Sequence, residues 1–224
     1  METFTDPRDG NTYRVVHIGR QCWLAENLRY LPAVCPATTT PDGGPFHFVY
    51  DYQGGDANEA KTTPHYRNYG VLYNWPAALA ACPPGWHLPG DEEWSELLDF
   101  LIRRHGGLSP NTVAYALKAC APSDGGDERP RWETDAPPPG ESGPVQAFRR
   151  AVRRILDRTP RGHNTDRSGF SALPGGRCSF GGFCRIGDLG YWWSSTEASP
   201  LRAWCRQMTL GGTVNRWDPP KHDG

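Results

Sequence analysis

The residues whose types suggest a binding surface lie near the end of the chain. Four apolar or aromatic residues there alternate irregularly with charged ones, and the set is Phe180, Leu189, Tyr191 and Trp217 with Arg185, Arg202 and Asp218. Aromatic and arginine side chains carry most of the energy of protein interfaces. This mixture therefore predicts that the C-terminal part of the chain binds a ligand.

Within this part, the stretch "GYWWSSTEASPLRAWCRQM" at residues 190–208 separates into a regular and an irregular set. The runs "WWSSTE" and "AW" resemble a fixed frame, whereas Tyr191, Ala198, Leu201 and Cys205 follow neither a helical nor a strand period. We expect Trp192, Trp193 and Trp204 of the frame to be buried. We also expect the residues between them to be exposed, with Phe180, Leu189, Tyr191, Ala198 and Trp217 on one shared face.

The cysteines and histidines offer a second kind of chemistry, but their spacing is unspecific. Seven cysteines occur without a CxxC pair and are spread along the chain, so free, mostly buried thiols are favoured and disulfides remain an alternative. The histidines show no metal-ligand spacing, and "NRWDPP" is the nearest approach to a calcium-binding motif. We therefore expect no cofactor, with a structural calcium or magnesium ion as the alternative.

The composition favours a single loop-rich domain over residues 1–224. The chain has 26 Gly and 22 Pro, and an aromatic content of 12% allows a core of few, bulky residues. A net charge of -1 gives no reason to expect nucleic acid as a partner, and no apolar stretch is long enough to cross a membrane. No signal peptide is visible, which favours the cytoplasm if nothing precedes Met1, and the compartment stays open.

Strand and helix signals divide the chain. "TYRVVHI" and "QCWLAENL" predict strands joined by turns at Asp9-Gly10 and Gly19-Arg20, and residues 31–67 predict a loop. Helices are predicted from Pro76 to Cys82, from an Asp91 cap to about Gly106, and over Thr112 to Cys120. Residues 121–144 predict a surface loop and residues 145–156 an Arg-faced amphipathic helix. Short strands are expected after Gly169.

Three segments closely resemble the Fibrobacter major paralogous domain: "TFTDPRDGNTYRVVHIGRQCWLAENLRY", "NYGVLYNWPAALAACPPGWHLPGDEEWSELLDFL" and "GFSALPGGR" with the later "GYWWSSTE". The resemblance implies an α+β, C-type lectin-like fold of the formylglycine-generating-enzyme subclass, with short antiparallel strands and about two to four helices. Residues 121–160 then read as an inserted loop and helix.

Some proteins of this family are similar to the variable proteins of diversity-generating retroelements, which implies a diversified binding region at residues 177–223. There, mutation of AAC codons at both adenines yields any residue except Glu, Gln, Lys, Met and Trp. Gln207 and Trp217 fall outside that set and the other candidates comply. The ligand-binding candidates are Cys178, Ser179, Phe180, Gly182, Cys184, Arg185, Asp188, Leu189, Tyr191, Ala198, Ser199, Leu201, Arg202, Cys205, Gln207, Thr209, Trp217, Asp218, Pro219, Pro220, His222 and Asp223.

The resemblance leaves two alternative functions open. A formylglycine-generating type of oxidase would use a cysteine pair, and Cys178, Cys184 and Cys205 lie in the relevant part of the chain. A calcium-dependent sugar-binding lectin would need a cluster of hard oxygen ligands. The leading hypothesis is a non-enzymatic binding protein whose partner, an unknown protein or cell-surface ligand, is selected after diversification.

Overall fold

The computed structural model describes residues 1–40, 43–119, 132 and 166–224. Ten short strands and five helices lie in these ranges, all within a mixed α+β arrangement. The strands are β1 (Thr3–Thr5), β2 (Thr12–Ile18), β3 (Gln21–Leu24), β4 (His47–Phe48), β5 (Leu72–Tyr73), β6 (Gly175–Ser179), β7 (Gly182–Ile186), β8 (Gly190–Ser199), β9 (Arg202–Met208) and β10 (Val214–Trp217). The helices are α1 (Ala57–Lys61), α2 (Pro64–Tyr69), α3 (Trp75–Ala81), α4 (Asp91–Arg104) and α5 (Ala114–Leu117).

The strands pair antiparallel in four small sheets, β1-β2-β3, β4-β5, β6-β7 and β10-β9-β8. The predicted N-terminal turns are confirmed, because Gly10 and Gly19 have φ angles of 75° and 65°, which glycine adopts at no steric cost. From Gly169 onward the expected succession of short strands is also confirmed.

Helix α4 is the element that joins the two ends of the chain. Trp94, Leu97 and Leu101 are buried on one stripe of the helix and pack in the main core with Ile18 of β2 and Met208 of β9. Its N-cap is Gly90 rather than the predicted Asp91, and Glu93 accepts a hydrogen bond from the Gly90 N–H at 2.7 Å. Asp91 is thereby left free to turn towards β9.

The turn-rich segment 31–67 contains more structure than the predicted loop. Asp56 and Thr63 accept hydrogen bonds from the first turns of α1 and α2, and Pro64 lies in the first turn of α2. The predicted helices near Pro76 and Thr112 are present as α3 and the shorter α5.

Most of the expected insertion, with its Arg-faced helix at residues 145–156, lies outside the described residues. Trp132 is the exception, and it contradicts the prediction of a surface loop at its own position. Its side chain is 3% exposed, and its indole N–H donates to the Ala172 carbonyl at 2.9 Å. A tryptophan in a Pro-rich segment can thus supply a core contact, since burial of its ring is strongly favourable.

Candidate ligand-binding site

The candidate residues of the C-terminal sheet separate by strand alternation. The register pairs Tyr191 with Gln207 and Gln207 with Asn215, and it pairs Cys205 with Trp217. Because successive side chains of a strand point to opposite faces, these odd-numbered residues share one face of the β8-β9-β10 sheet. We call it the odd face, and the opposite one the even face. Strand alternation therefore accounts for Tyr191 and Cys205, contrary to expectation, whereas the register is shifted near Ala198 and Ser199 and Leu201 lies outside the strands.

The even face carries Trp192 and Trp204 of the frame and packs against α4. Met208 is fully buried in the main core, and Trp192 packs against that core beside Phe170, with ring centroids 6.5 Å apart. The same face thus supplies the anchoring contacts that hold the sheet.

A polar cluster completes the even face. Arg206 is 3% exposed and donates to the Asp91 carboxylate and, at 3.0 Å, to the Asp91 carbonyl. Arg216 also pairs with Asp91 at 3.0 Å and lies 3.4 Å from the centroid of the Trp204 ring. Burial acts to raise the pKa of Asp91, but hydrogen bonds from Arg216 and Arg206 outweigh it, so the pKa is lowered. A charged aspartate therefore ties α4 to both β9 and β10.

The odd face presents a row of connected polar and aromatic groups. Gln207 donates to the Tyr191 hydroxyl at 3.2 Å and accepts from the Asn215 amide at 3.3 Å. The rings of Tyr191 and Trp217 lie 5.7 Å apart. Arg177 of β6 extends the row, with its guanidinium 5.5 Å from the Tyr191 centroid and 5.0 Å from the Trp217 centroid. All five side chains are partly accessible.

Arg177 and Asn215 were missed by the sequence analysis. Neither stands out by residue type, but strand alternation places Asn215 beside Gln207, and the β6-β7 register places Arg177 opposite Cys184. The period-two pattern of β9 and β10 is the signal that would have found Asn215.

Several predicted exposed residues are instead buried. Cys178, Cys205 and Asp223 are 3%, 2% and 5% exposed, and Pro219 is also buried. Burial raises the pKa of the Cys178 and Cys205 thiols to about 12 in each case. Cys205 lies on the odd face by its register but is buried, so alternation alone does not make a residue accessible.

The prediction that the three frame tryptophans are buried was also wrong. Trp192, Trp193 and Trp204 are each partly exposed. Trp193 is nevertheless fixed, because its indole N–H donates to the Tyr73 carbonyl at 2.8 Å. Trp204 is covered on one side by Arg216. The frame therefore depends on hydrogen bonding and stacking as well as burial.

The β6-β7 hairpin presents the most exposed of the candidates. Phe180 and Gly181 form its two-residue turn with φ angles of 52° and 74°, the mirror-image geometry typical of tight hairpins. Phe180 is 95% exposed and adopts a conformation that bulky residues rarely take. Ser179, Gly182 and Cys184 lie on the two strands beside it.

A second group gathers where β8 turns into β9. Arg202 donates to the Asp218 carboxylate at 3.0 Å and forms a bridge with Pro220, while Leu201 is 79% exposed. The strand β8 is irregular near Ala198 and Ser199. Lys221 fixes this corner, because it pairs with Glu197 at 2.9 Å and lies 4.5 Å from the Trp75 ring centroid.

The remaining candidates lie neither at the β6-β7 hairpin nor at the corner between β8 and β9. Arg185 of β7 pairs with Asp188 in the turn before β8 at 3.9 Å, and the Leu189 carbonyl accepts a backbone hydrogen bond from Gly176. Thr209 accepts from the Gly211 N–H in the connection from β9 to β10, and His222 is exposed. The five residues predicted to share one face therefore come from different strands and turns: Phe180, Leu189, Tyr191, Ala198 and Trp217. Among them, Tyr191 and Trp217 are in ring contact.

A cavity of about 650 Å³ is lined by Arg177, Tyr191 and Trp217 of this row, and also by Trp192 of the even face and by Trp94 and Phe170 of the core. Such a volume lies within the range of small-molecule sites and can accept several protein side chains. In the described part of the chain, no group of three or more His, Cys, Asp or Glu residues could hold a metal ion. Nor is any described helix long and apolar enough to span a membrane.

These features define a loop-rich α+β domain with a partly accessible aromatic and polar sheet face. The family model described as the Fibrobacter succinogenes major domain matches residues 16–217, and the chain belongs to that family. No curated protein and no solved structure matched the chain.

Proposed function

We propose that the protein is a binding protein whose ligand contacts the odd face of the β8-β9-β10 sheet. The observation that carries the proposal is the separation of roles across one sheet. Tyr191, Gln207 and Trp217 lie on the accessible face, while Trp192, Arg206 and Met208 anchor the opposite one. Residues of the odd face can therefore change without removal of the contacts that anchor the even face.

The chemistry of the odd face suits a protein ligand. Tyr191 and Trp217 offer large, amphipathic rings, and Arg177 offers a cation held above both of them. Side chains of these types form the energetic centres of protein interfaces. The adjoining cavity of about 650 Å³ would let the partner insert side chains beside the rings.

We further propose that this face is diversified by a retroelement, within the C-type lectin-like fold that the sequence resemblance implies. Asn215 supports the idea, since asparagine is what an unmutated AAC codon encodes and it lies in the same row as Gln207. Gln207 and Trp217 would then derive from other codons. A near-repeat of the coding region for residues 177–223 beside a reverse transcriptase gene, with adenines at the variable positions, is the expected finding. Its absence would remove the retroelement but not the binding surface.

An oxidase based on the C-terminal cysteines is less well supported. The thiolate is the reactive form of cysteine, and burial raises the pKa of Cys178 and Cys205 to about 12. The six described cysteines are free thiols, and the two buried ones are shielded from a substrate.

Two matched libraries test the binding proposal. One randomises Tyr191, Gln207, Asn215 and Trp217 of the odd face, and the control library randomises Trp192, Arg206, Met208 and Arg216 of the even face. Both are displayed and selected against several unrelated purified proteins. We expect most odd-face variants to display as folded protein and to yield specific binders, and most even-face variants to be lost. Equal loss from both libraries, or no binders from a well-displayed odd-face library, would overturn the proposal.

A further inference from the structure

Three side chains at the N-terminal sheet form a connected thiol, imidazole and carboxylate group. The Cys22 sulfur lies 3.0 Å from His17 Nδ1, and His17 Nε2 lies 2.7 Å from the Glu2 carboxylate. The arrangement is remote in sequence from the candidate ligand-binding site. It also places a nucleophile, a base and a group that orients the base in the order that nucleophilic catalysis uses.

The sheet register builds this group. His17 faces Cys22 across the β2-β3 hairpin, next to the pair Ile18-Gln21 that closes its two-residue turn. The closing pair of such a hairpin exchanges backbone hydrogen bonds, so the next pair is of the close, non-hydrogen-bonded type, with Cα atoms about 4.5 Å apart. Glu2 comes from the chain beside β2, where its carbonyl accepts from the Val15 N–H.

Alternation also places the group on the outer side of the sheet. Val16 and Trp23, which neighbour His17 and Cys22, pack towards the main core. His17 and Glu2 side chains are each 60% exposed, and Cys22 is exposed. A reagent in solution therefore has access to the sulfur.

The proton positions follow from the partners. A carboxylate accepts hydrogen bonds, so the imidazole tautomer that suits Glu2 is the one that donates from Nε2. Nδ1 is then the acceptor, and it is the ring nitrogen nearer to the thiol, at 3.0 Å against 3.9 Å for Nε2. His17 is thus poised to take the proton of Cys22 as the sulfur attacks.

We propose that Cys22 is a site of thiol-disulfide exchange with accessible small-molecule disulfides, with His17 as the base and Glu2 as its positioning residue. The Cys22 S–H proton passes to His17 Nδ1, and the sulfur electron pair forms a bond to one sulfur of the disulfide. The old S–S bond breaks, and the leaving thiolate takes its electron pair and then the proton. Cys22 ends in a mixed disulfide, and one half of the reagent is released as a thiol.

The structure predicts selectivity among the thiols. Of the six described cysteines, Cys22 alone is exposed, whereas Cys35, Cys82 and Cys184 are partly covered and Cys178 and Cys205 are buried. Burial raises the pKa of Cys82 to about 11, which further slows its reaction. The proposal does not depend on the ligand-binding function.

The test follows the reaction of the folded full chain with an aromatic disulfide, 5,5′-dithiobis(2-nitrobenzoic acid), by the colour of the released thiol. Among the six described cysteines, we expect rapid reaction at Cys22 alone, located by mass spectrometry of the labelled peptide. His17→Ala should slow this phase about tenfold, because the base is lost. Glu2→Gln should slow it less than Glu2→Ala, since the amide oxygen can still accept from Nε2.

The controls separate this chemistry from simple exposure. His87→Ala removes another exposed His–Glu pair, which joins His87 to Glu93 at 2.9 Å without a cysteine, and it should leave the rapid phase unchanged. Cys22→Ser should abolish that phase. The proposal is overturned if Cys22 reacts no faster than the other thiols, or if its rate is the same in His17→Ala. It is likewise overturned if His87→Ala slows the reaction as much as His17→Ala. Oxidised glutathione, an aliphatic disulfide, should give the same ranking of variants.

Discussion

The two faces of the β8-β9-β10 sheet are made from the same strands but are held in different ways. The even face has Met208 in the core and Arg206 held by Asp91, so its residues are fixed by partners from α4. The odd face has Tyr191, Gln207 and Trp217, whose contacts are mainly with one another and with Arg177. The difference shows that one sheet can be anchored to the core on one face and leave partly accessible side chains on the other.

The largest expected effect comes from comparing two tryptophans on opposite faces. Trp192→Ala should lower the free energy of unfolding by about 3 kcal/mol, the lower end for a core tryptophan, because its partly exposed ring packs against the core beside Phe170. Trp217→Ala should lower it by only about 1 kcal/mol, since its ring mainly contacts Tyr191 and Arg177. Chemical denaturation of both variants gives the two values. Similar losses would mean that the odd face is also structural.

The ion-pair cluster of the even face should produce the next largest effect. Asp91→Asn should cost about 2–3 kcal/mol, because buried Arg206 loses its charged partner while Arg216 remains partly solvated. Asp99→Asn on the same helix is the matched control. Its pair with Arg103, at 4.0 Å, is exposed, so the change should cost less than about 0.5 kcal/mol. Equal costs for the two variants would contradict the anchoring role of Asp91.

The lowered pKa of Asp91 gives a pH-dependent form of the same comparison. A carboxylate with a depressed folded-state pKa stabilises the protein above its unfolded-state pKa, and this stability is lost as the pH falls through the folded value. The difference in unfolding free energy between wild type and Asp91→Asn should therefore persist at neutral pH and shrink below about pH 3.9. Denaturation curves across that range measure it. If the difference in unfolding free energy grew on acidification, the pKa of Asp91 would not be lowered in the folded protein.

The smallest effect should have the opposite sign and lies at the β6-β7 turn. Phe180→Gly should raise the free energy of unfolding by about 0.5–1 kcal/mol, because glycine adopts the positive φ of this position without strain. Leu201→Gly, at another exposed apolar residue without a positive φ, should give no gain. Thermal melts distinguish the two. Destabilisation by Phe180→Gly would show that the ring makes contacts that matter to folding.

Much of the fold follows from the sequence. Local sequence patterns predict the apolar stripe of α4, the turns at Gly10 and Gly19, and the strands after Gly169. The helices α1 and α2 were missed because they are short and lie among turn residues, where capping by Asp56 and Thr63 decides the structure. Trp132 was missed because only tertiary packing explains its burial.

The sequence predicted which region of the chain carries the candidate site, but not which residues lie on the accessible face of the sheet. Alternation in β8 and β9 is hidden, because a charged residue, Arg206, lies on the anchored face and aromatic rings lie on the accessible one. Polarity, the usual guide to strand faces, therefore does not separate them. Cys205 shows the converse case, since its register places it on the odd face and yet it is buried.

A scan of all substitutions across residues 190–217, scored by protease resistance of the displayed protein, tests the separation of the two faces most directly. We predict that tolerance alternates along the strands, being high at Tyr191, Gln207, Asn215 and Trp217 and low at Trp192, Arg206 and Met208. Trp193 and Cys205 should be intolerant exceptions on the odd face, because Trp193 is bonded to Tyr73 and Cys205 is buried. A tolerance profile without alternation, or one in which the odd positions are the more sensitive, would contradict the assignment of a scaffold face and a binding face.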